Sequence, residues 1–234
     1  MSTPPRSVII YISGAGLSSA IWDGVRAKVT VKDAALTHTR DNTASLESIV
    51  QEALAQLDAI QARQYVLVAH SLGGVLGVEL ARKLGNKLGG FIAVSATVPA
   101  PGKSFVSTLP FPQRLLMPII LKLAGTKPPA SAIRKTLCSG LTDAQADTII
   151  KTFTPEPRKL YVGKTSSDKL PPTKYAYIRT LNDKQVPPQL QSSMAQLLPD
   201  VIITDIAGGH LSMVSHPDEL ANSINSFLTD LPVS

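Results

Sequence analysis

The sequence predicts an α/β protein in which a mostly parallel, doubly wound sheet carries a helical segment inserted after the fourth strand. Short apolar, β-branched runs alternate with stretches of helical periodicity, the pattern of a parallel sheet covered by helices on both faces. The runs at residues 8–12 and 201–203 are apolar on both faces, as buried parallel strands are. Residues 99–188 interrupt this pattern because they hold 13 of the 18 prolines, and proline breaks helices and central strands.

Six strands and several helices are predicted in chain order. The strands are expected at residues 8–12, 34–37, 65–69, 91–95, 175–180 and 201–206. Apolar residues repeat at intervals of three and four over residues 46–57 and 75–84, which predicts two helices. A further helix begins at Pro217, because proline suits the first helical position and Asp218 and Glu219 follow in the first turn. A capping box at residues 142–145 starts a short amphipathic helix inside the proline-rich segment.

The inserted segment is also the basic part of the chain. Residues 100–175 carry 12 Lys and Arg against 4 Asp and Glu, whereas the remainder carries 11 against 13. We therefore expect a core formed by residues 1–98 and 174–234 and a helical, proline-rich, basic cap formed by residues 99–173. The charge suits anionic substrates or an acidic surface, although solvated lysines are the commoner explanation. A role at a lipid surface would need an amphipathic helix, and no clean one is predicted there.

Composition excludes several classes of protein. With 234 residues, 44% hydrophobic and 17% charged, the chain is neither disordered nor too small to bury a core. The single cysteine, Cys138, excludes an internal disulfide and a cysteine-based zinc cluster. Aromatic residues are only 5%, too few for a stacking surface that binds single-stranded nucleic acid. We expect no cofactor, no metal and no nucleic-acid partner, and a monomer or homodimer.

Neither a membrane span nor a signal peptide is expected. The longest apolar runs fall well short of the roughly 20 residues that cross a bilayer. The run at residues 8–12 is also shorter than the apolar part of a secretory signal, and Gly14 and Gly16 follow it closely. A cytoplasmic location is therefore the default prediction.

A serine stands where a strand is predicted to turn into a helix. The segment His-Ser-Leu-Gly-Gly at residues 70–74 is close to the Gly-x-Ser-x-Gly nucleophile elbow, with Ala69 in place of the first glycine. The sharp turn exposes the Ser71 hydroxyl, and the start of the helix directs the Leu72 amide at the reacting centre. Ser71 is thus a candidate nucleophile; the alternative is an ordinary helix cap.

A glycine-rich loop follows the first predicted strand at residues 13–16. The loop lacks the later glycine of the dinucleotide-binding pattern, and no Lys-Ser or Lys-Thr follows it, so neither nucleotide motif is met. Such a loop can bring a second backbone amide to Ser71. We predict that the amides of Ala15 and Leu72 form an oxyanion hole.

An activated serine needs a histidine as general base. Among the four histidines, His210 lies beyond the C-terminal end of the last predicted strand, where open α/β sheets place their sites. His70 adjoins Ser71 in the chain and is expected to point elsewhere and pack, while His216 begins a helix. His38 lies just after the second predicted strand. We predict that His210 is the base; the alternative is that it is a histidine of a surface loop.

The carboxylate that orients the base is predicted to be Asp183. It follows the strand at residues 175–180, so it too lies beyond a strand's C-terminal end. Asp205 lies within the next strand and Asp200 precedes it, so both are worse placed. The alternative for Asp183 is a turn residue. The order serine, aspartate, histidine is the order of these roles in one group of serine hydrolases.

The chain resembles the α/β-hydrolase family over nearly its whole length. The resemblance is carried by residues 13–16 with Trp22 after them, residues 70–74, residues 177–183, and residues 209–213 before His216 and Pro217. It is most similar to the small branch that holds plant-type methylesterases, hydroxynitrile lyases and their bacterial relatives. This resemblance implies a helical cap over the active site and the catalytic set Ser71, Asp183 and His210.

Three positions depart from the pattern of that branch. Ser13 replaces the usual histidine at the start of the oxyanion loop, and Ala69 replaces a glycine. Leu211 stands where hydroxynitrile lyases have the lysine that binds cyanide. The resemblance therefore implies a serine-dependent carboxylesterase that acts on a small-molecule ester through an acyl-enzyme. The alternatives are a thioesterase, lactonase or lyase on the same scaffold, or a protein that binds a small ligand without turnover.

The inserted segment supplies candidate substrate-binding side chains. Gly14 belongs to the oxyanion loop, and the apolar residues Phe105, Phe111, Leu116 and Met117 can line an acyl pocket. Packing of these apolar residues onto the sheet is an equally good interpretation.

Overall fold

A six-stranded parallel sheet is the centre of the computed structural model, which describes residues 6–231. The strands are β1 (Ser7–Ile12), β2 (Asp33–Ala35), β3 (Gln64–His70), β4 (Leu88–Val94), β5 (Tyr175–Thr180) and β6 (Ile202–Ile206). They lie in the order β2-β1-β3-β4-β5-β6, and every neighbouring pair is parallel. All six predicted strands are present, so the predicted fold class is confirmed.

Helices connect the strands and cover both faces of the sheet. They are α1 (Asp23–Arg26), α2 (Leu46–Ile60), α3 (Gly73–Leu84), α4 (Phe105–Thr108), α5 (Gln113–Leu123), α6 (Ala130–Ala132), α7 (Asp143–Thr152), α8 (Arg158–Val162), α9 (Pro188–Ala195), α10 (Ser212–Ser215) and α11 (Pro217–Thr229). The predicted helices over residues 46–57 and 75–84 and from Pro217 are all found. Helix α9 was not predicted, because its polar sequence shows little apolar periodicity.

Two apolar layers pack against the sheet, one on each face. Alternate side chains of a strand point to opposite faces, so Ile10 of β1 joins one layer and Ile9 the other. The first layer contains the buried faces of α2, α3 and α9. The second contains those of α1, α7, α10 and α11. Burial on both faces explains why β1, β3 and β4 read as continuous apolar runs. The expectation of the same burial for the run at residues 201–203 is wrong: β6 lies at the edge of the sheet, and Ile202 and Ile203 are exposed.

Five α-helices, α4 to α8, and a π-helix at Ile133–Leu137 occupy the chain between β4 and β5. Their buried side chains join the two layers already described: Val106 and Leu160 belong to the first layer, and Ile149 and Phe153 to the second. The helical insertion after the fourth strand is therefore as expected. Its division from the core as a cap at residues 99–173 stays a prediction.

The strand register brings the C-terminal ends of five strands to one edge of the sheet. Ile12 of β1 lies beside Ala69 of β3, and His70, the last residue of β3, lies beside Val94 of β4. On the far side, Thr180 of β5 pairs with Ile206 of β6. The segments that leave these strands include the predicted oxyanion loop, Ser71, Asp183 and His210, so the register gathers them at the same edge.

No helix within residues 6–231 is long and apolar enough to span a bilayer.

The predicted capping box at the start of α7 forms as expected, and its contribution to the free energy of unfolding can be measured. The Thr142 hydroxyl accepts a hydrogen bond from the Gln145 amide, and the Gln145 side chain accepts one from the Thr142 amide. Thr142→Ala should lower the free energy of unfolding by about 1 kcal/mol, because a helix amide loses its acceptor. Urea unfolding measures this change. Thr148→Ala, an exposed site on the same helix, should change it by less than about 0.5 kcal/mol, and equal effects would contradict the capping role.

Candidate active site

Ser71 lies in a strained turn between β3 and α3. Its φ angle is +51°, in the left-handed region that residues with a side chain rarely adopt. Gly73 and Gly74 follow, and both approach backbone too closely for a side chain: a Cβ at Gly73 would lie 2.5 Å from the Ser13 carbonyl oxygen. The turn thus has the geometry of a nucleophile elbow, in which small neighbours permit the strain that exposes the hydroxyl.

The glycine-rich loop after β1 lies directly against Ser71. A Cβ at Gly14 would be 2.7 Å from the Cβ of Ser71, so only glycine permits this approach. Within residues 6–231, the backbone amides of Ala15 and Leu72 donate to no acceptor. Amides left free beside a serine hydroxyl can stabilise a negatively charged oxygen.

A hydrogen-bonded chain connects Ser71, His210 and Asp183. The Nε2 atom of His210 is 2.9 Å from the Ser71 Oγ, and its Nδ1 atom is 2.7 Å from the Asp183 Oδ2. Because a carboxylate only accepts, Nδ1 carries the proton and donates it to Asp183. Nε2 is then free to accept the proton of Ser71. The structure therefore brings together the three side chains that the sequence analysis selected.

The carboxylate of Asp183 is buried and surrounded by donors. Besides His210, its oxygens accept hydrogen bonds from the hydroxyls of Ser95 and Thr180, the amides of Gln185 and Val186, and the side chain of Gln191. Burial by itself raises the pKa of the Asp183 carboxyl. The neighbouring His210 and the donated hydrogen bonds outweigh burial and lower that pKa to about 2. Asp183 is therefore ionised at neutral pH.

Ser95 is a site residue that the sequence analysis missed. It follows β4 directly, is fully buried, and has a φ angle of +45°. Its hydroxyl donates to the Asp183 carboxylate and lies 3.2 Å from the Nδ1 atom of His210. The sequence placed Ser95 as the last residue of the strand expected at residues 91–95, whereas β4 ends at Val94 and leaves Ser95 beyond it. The available signal was thus a position near a strand's C-terminal end. A serine there carries no charge, so the signal was weak.

His70 packs behind the site, as the sequence analysis expected. Its imidazole is fully buried, and Nε2 donates to the His210 carbonyl oxygen at 2.9 Å. Burial, and then the nearby His210, lower the pKa of the His70 imidazole well below its usual range. His70 is therefore neutral. It fixes the backbone of His210 and leaves the base role to that residue.

Glu156, another residue that the sequence analysis missed, holds the glycine-rich loop. Its buried carboxylate accepts from the Gly16 amide at 3.0 Å and contacts the His38 Nε2 at 2.7 Å and the Arg40 guanidinium at 3.4 Å. Gly16 has a φ of +75°, and a Cβ there would meet the Phe153 ring at 2.1 Å. Glu156 therefore fastens the loop to the inserted segment. Nothing in the local sequence around Glu156 distinguishes it from an exposed loop residue.

Two adjoining cavities lie beside the loop. The smaller, about 10 Å³, is lined by Ser13, Gly14, Ala15, His38, Leu72, Gly73, Leu76, Glu156 and Leu160. The larger, about 190 Å³, shares Ser13 and His38 and is lined further by Ile12, Leu17, Ser18, Ser19, Leu36, Thr37 and Arg40. Gly14, Ala15 and Leu72 thus border free space. The space that the predicted oxyanion donors border is about the size of one water molecule.

The apolar residues predicted to bind substrate are dispersed. Phe105 packs edge-on against Tyr161 with ring centres 5.4 Å apart, and Met117 packs against the first apolar layer. The side chains of Phe111 and Leu116 are more than half exposed and line neither of the two cavities. An acyl pocket formed by these four residues stays a prediction.

The weaker candidates for each role are occupied elsewhere. His38 is bound to Glu156, and the His216 Nδ1 lies 2.7 Å from the Ser215 hydroxyl. Asp205 is paired with Arg179 at 2.7 Å. The part of the chain that the structure describes contains no group of three or more His, Cys, Asp or Glu side chains arranged to hold a metal.

A family model and several solved structures match the chain. The model described as the alpha/beta hydrolase family matches residues 9–223. One similar structure is that of an extracellular alpha/beta-hydrolase from a Paenibacillus species, described as homologous in structure and function to tobacco salicylic acid binding protein 2. Its TM-score is 0.80 at 17% identity, and the match covers 95% of this chain and 98% of that protein's chain. A search of curated proteins returns no match.

Two further structures belong to proteins described as esterases or hydrolases. A methylesterase from Arabidopsis has a TM-score of 0.77 at 16% identity, over 96% of this chain and 99% of its own. A pyrethroid hydrolase from Sphingobium faniae JZ-2 has a TM-score of 0.72 at 22% identity, over 96% and 98%. At these identities the likeness is one of fold.

The low pKa of Asp183 predicts how stability changes in acid. Its folded pKa of about 2 lies below the value of about 4 in an unfolded chain. The carboxylate therefore contributes about 2 kcal/mol above pH 4, and this contribution is lost as the pH falls from about 4 to about 2. Denaturant unfolding of the wild type and of Asp183→Asn across that range should show their difference in unfolding free energy shrinking by this amount. Parallel curves down to pH 2 would contradict the assignment.

Proposed function

The chain belongs to the alpha/beta hydrolase family, and we propose that it is a serine hydrolase that cleaves a small-molecule carboxylic ester through an acyl-enzyme. The resemblance to the alpha/beta hydrolase family that the sequence predicted is confirmed by the family match. The methylesterase among the similar structures supports the proposed placement in the methylesterase branch. The observation that carries the proposal is the chain of hydrogen bonds from Ser71 through His210 to the ionised Asp183.

The proposed reaction begins with proton transfer from Ser71 to His210. Asp183 holds the His210 imidazole with its proton on Nδ1 and stabilises the imidazolium that forms. The Ser71 oxygen attacks the ester carbonyl, and a tetrahedral intermediate forms. His210 then returns the proton to the leaving alcohol, and the acyl group stays on Ser71. Water, deprotonated by His210, releases the acid and restores the serine.

The proposed oxyanion donors are the amides of Ala15 and Leu72. Both amides are free of acceptors within the described residues, and both residues border the small cavity beside Ser71. Preorganised amides stabilise charge that develops in the transition state, and one such donor is worth about 10²–10³ in rate. Glu156 supports this function because it fixes Gly16, the next residue after Ala15.

An ester is the favoured substrate over the other compounds that the same residues can cleave. Similar folds occur in a methylesterase, whose name denotes ester hydrolysis, and in a pyrethroid hydrolase. Thioesters and lactones follow the same chemistry and are the next candidates. Cleavage of cyanohydrins is less favoured because Leu211, the residue after His210, is buried and apolar and supplies no cation for cyanide.

A binding protein without turnover is the second candidate, because a fold by itself does not determine function. The hydrogen-bonded order of the three side chains favours an enzyme. A fluorophosphonate probe separates the two, since it reacts covalently only with an activated serine. Labelling of the wild type that disappears in Ser71→Ala supports the hydrolase, and absence of labelling in the wild type supports the binder.

The cellular location and assembly belong to the proposal as well. We retain the prediction of a cytoplasmic protein that is monomeric or dimeric, although one of the similar structures is that of an extracellular protein. Neither point affects the chemistry proposed for Ser71.

Replacing the serine tests the mechanism directly. Ser71→Ala should lower kcat for short p-nitrophenyl esters by about 10⁴–10⁶, because no nucleophile remains to form the acyl-enzyme. Steady-state kinetics with purified protein measures the change. Ser193→Ala, at an exposed position on α9, is the matched control and should keep wild-type rates. Equal rates for wild type and Ser71→Ala would end the serine mechanism.

Two buried serines near His210 provide a test of positioning. The Ser95 hydroxyl donates to Asp183, whereas the Ser212 hydroxyl has no hydrogen-bond partner among the described residues. Ser95→Ala should lower kcat about tenfold with little change in KM, because the carboxylate loses a donor that orients it. Ser212→Ala should leave kcat within about twofold, since no hydrogen bond is lost. If the two variants lose the same activity, Ser95 has only a packing role.

A further inference from the structure

Helix α5 (Gln113–Leu123) presents an apolar surface that nothing in the described chain covers. The side chain of Leu123 is 80% exposed and that of Leu115 is 60% exposed. The large apolar residues exposed on this helix and just before it are Phe111, Leu115, Leu116, Ile119, Ile120 and Leu123. Single exposed apolar residues are ordinary on protein surfaces, but a contiguous set on one helix marks an interaction site.

The exposed residues form one stripe along the helix. Leu115, Ile119 and Leu123 are spaced four residues apart, so they lie above one another on the same face. On the opposite face, Met117 and Leu121 pack inward, and the helix contacts α4 and α8. Helix α5 is therefore apolar on two sides, of which the protein itself uses one.

The segment that contains the stripe is basic. Residues 99–133 hold four Lys and Arg residues and no Asp or Glu. Arg114 and Lys122 lie on α5 itself and are both exposed. A second copy of the chain docked on this surface would bring two such basic segments together, which like-charge repulsion opposes. An anionic partner is complementary in charge.

We propose that α5 docks on an anionic lipid surface. The apolar stripe enters the boundary between headgroups and acyl chains, while Arg114 and Lys122 lie against the negatively charged headgroups. Burial of apolar area and attraction to anionic lipids together account for the binding of interfacial helices. Helix α8, which α5 contacts, contributes Leu160 to the small cavity beside the glycine-rich loop.

Helix α5 differs from an expectation drawn from the sequence. Pro118 and the neighbouring prolines predicted interruptions, so no clean amphipathic helix was expected in the basic segment. In the structure α5 has 11 residues, and Pro118 lies inside it. The apolar residues form one stripe because this segment is helical.

Sedimentation with lipid vesicles tests the proposal with the full chain. The protein should pellet with vesicles of phosphatidylcholine mixed with phosphatidylglycerol, and much less with vesicles of phosphatidylcholine alone. Leu115→Gln/Leu123→Gln should reduce partition into the anionic vesicles about tenfold or more, because two exposed leucines no longer leave water. Arg114→Gln/Lys122→Gln should reduce it about tenfold through lost headgroup attraction.

The matched control is Leu181→Gln/Leu197→Gln, two exposed leucines outside α5, which should bind vesicles like the wild type. Thermal unfolding of each variant shows that it is folded. Lack of binding by the folded wild type, equal binding to both vesicle types, or equal loss in the control would overturn the proposal. So would size-exclusion chromatography in which Leu115→Gln/Leu123→Gln turns a dimer into a monomer, because the stripe would then be a self-interface. Vesicle binding is measured without any ester, so its outcome is independent of the proposed hydrolase function.

Discussion

The buried, ionised carboxylate of Asp183 is the constraint on which the candidate site depends. A charge in the interior is costly unless it is paired and hydrogen-bonded. The chain meets this cost with donors from five places: Ser95 after β4, Thr180 at the end of β5, the amides of Gln185 and Val186 in the loop that follows, Gln191 on α9, and His210 after β6. The same contacts hold His210 with Nε2 directed at Ser71. The same set of hydrogen bonds thus stabilises the charge of Asp183 and orients His210.

The parallel sheet makes this convergence possible. Residues far apart in the chain leave the sheet at one edge because the strand ends are in register. Close packing then brings two of these segments into contact. Because Gly14 and Gly73 have no side chains, the loop after β1 and the turn after β3 can touch. The strained φ angles of Ser71 and Ser95 occur at this same edge. Backbone strain concentrated at one place is typical of functional sites, and it persists because the surrounding rigid structure holds the strained residues in position.

The inserted segment has two roles that lie on different sides of it. Glu156 fastens the segment to the glycine-rich loop, through a buried carboxylate bound to the Gly16 amide, His38 and Arg40. Helix α5 faces away from the core with an apolar stripe and basic neighbours. The basic excess, which the sequence showed without explaining, therefore coincides with the one helix whose apolar face the protein leaves uncovered within residues 6–231.

The sequence by itself determined the sheet, its main helices and the three side chains of the proposed mechanism. Those features depend on local signals: apolar runs for β1 and β3, glycines around Ser71, and residues such as Asp183 and His210 just beyond strand ends. Only the tertiary structure decided what depends on contacts between distant segments. Ser95 meets Asp183 across 88 positions and Glu156 meets Gly16 across 140, and neither pairing leaves a trace in the neighbouring sequence. The exposed stripe of α5 was hidden for the same reason, since only the folded chain decides which apolar face becomes buried.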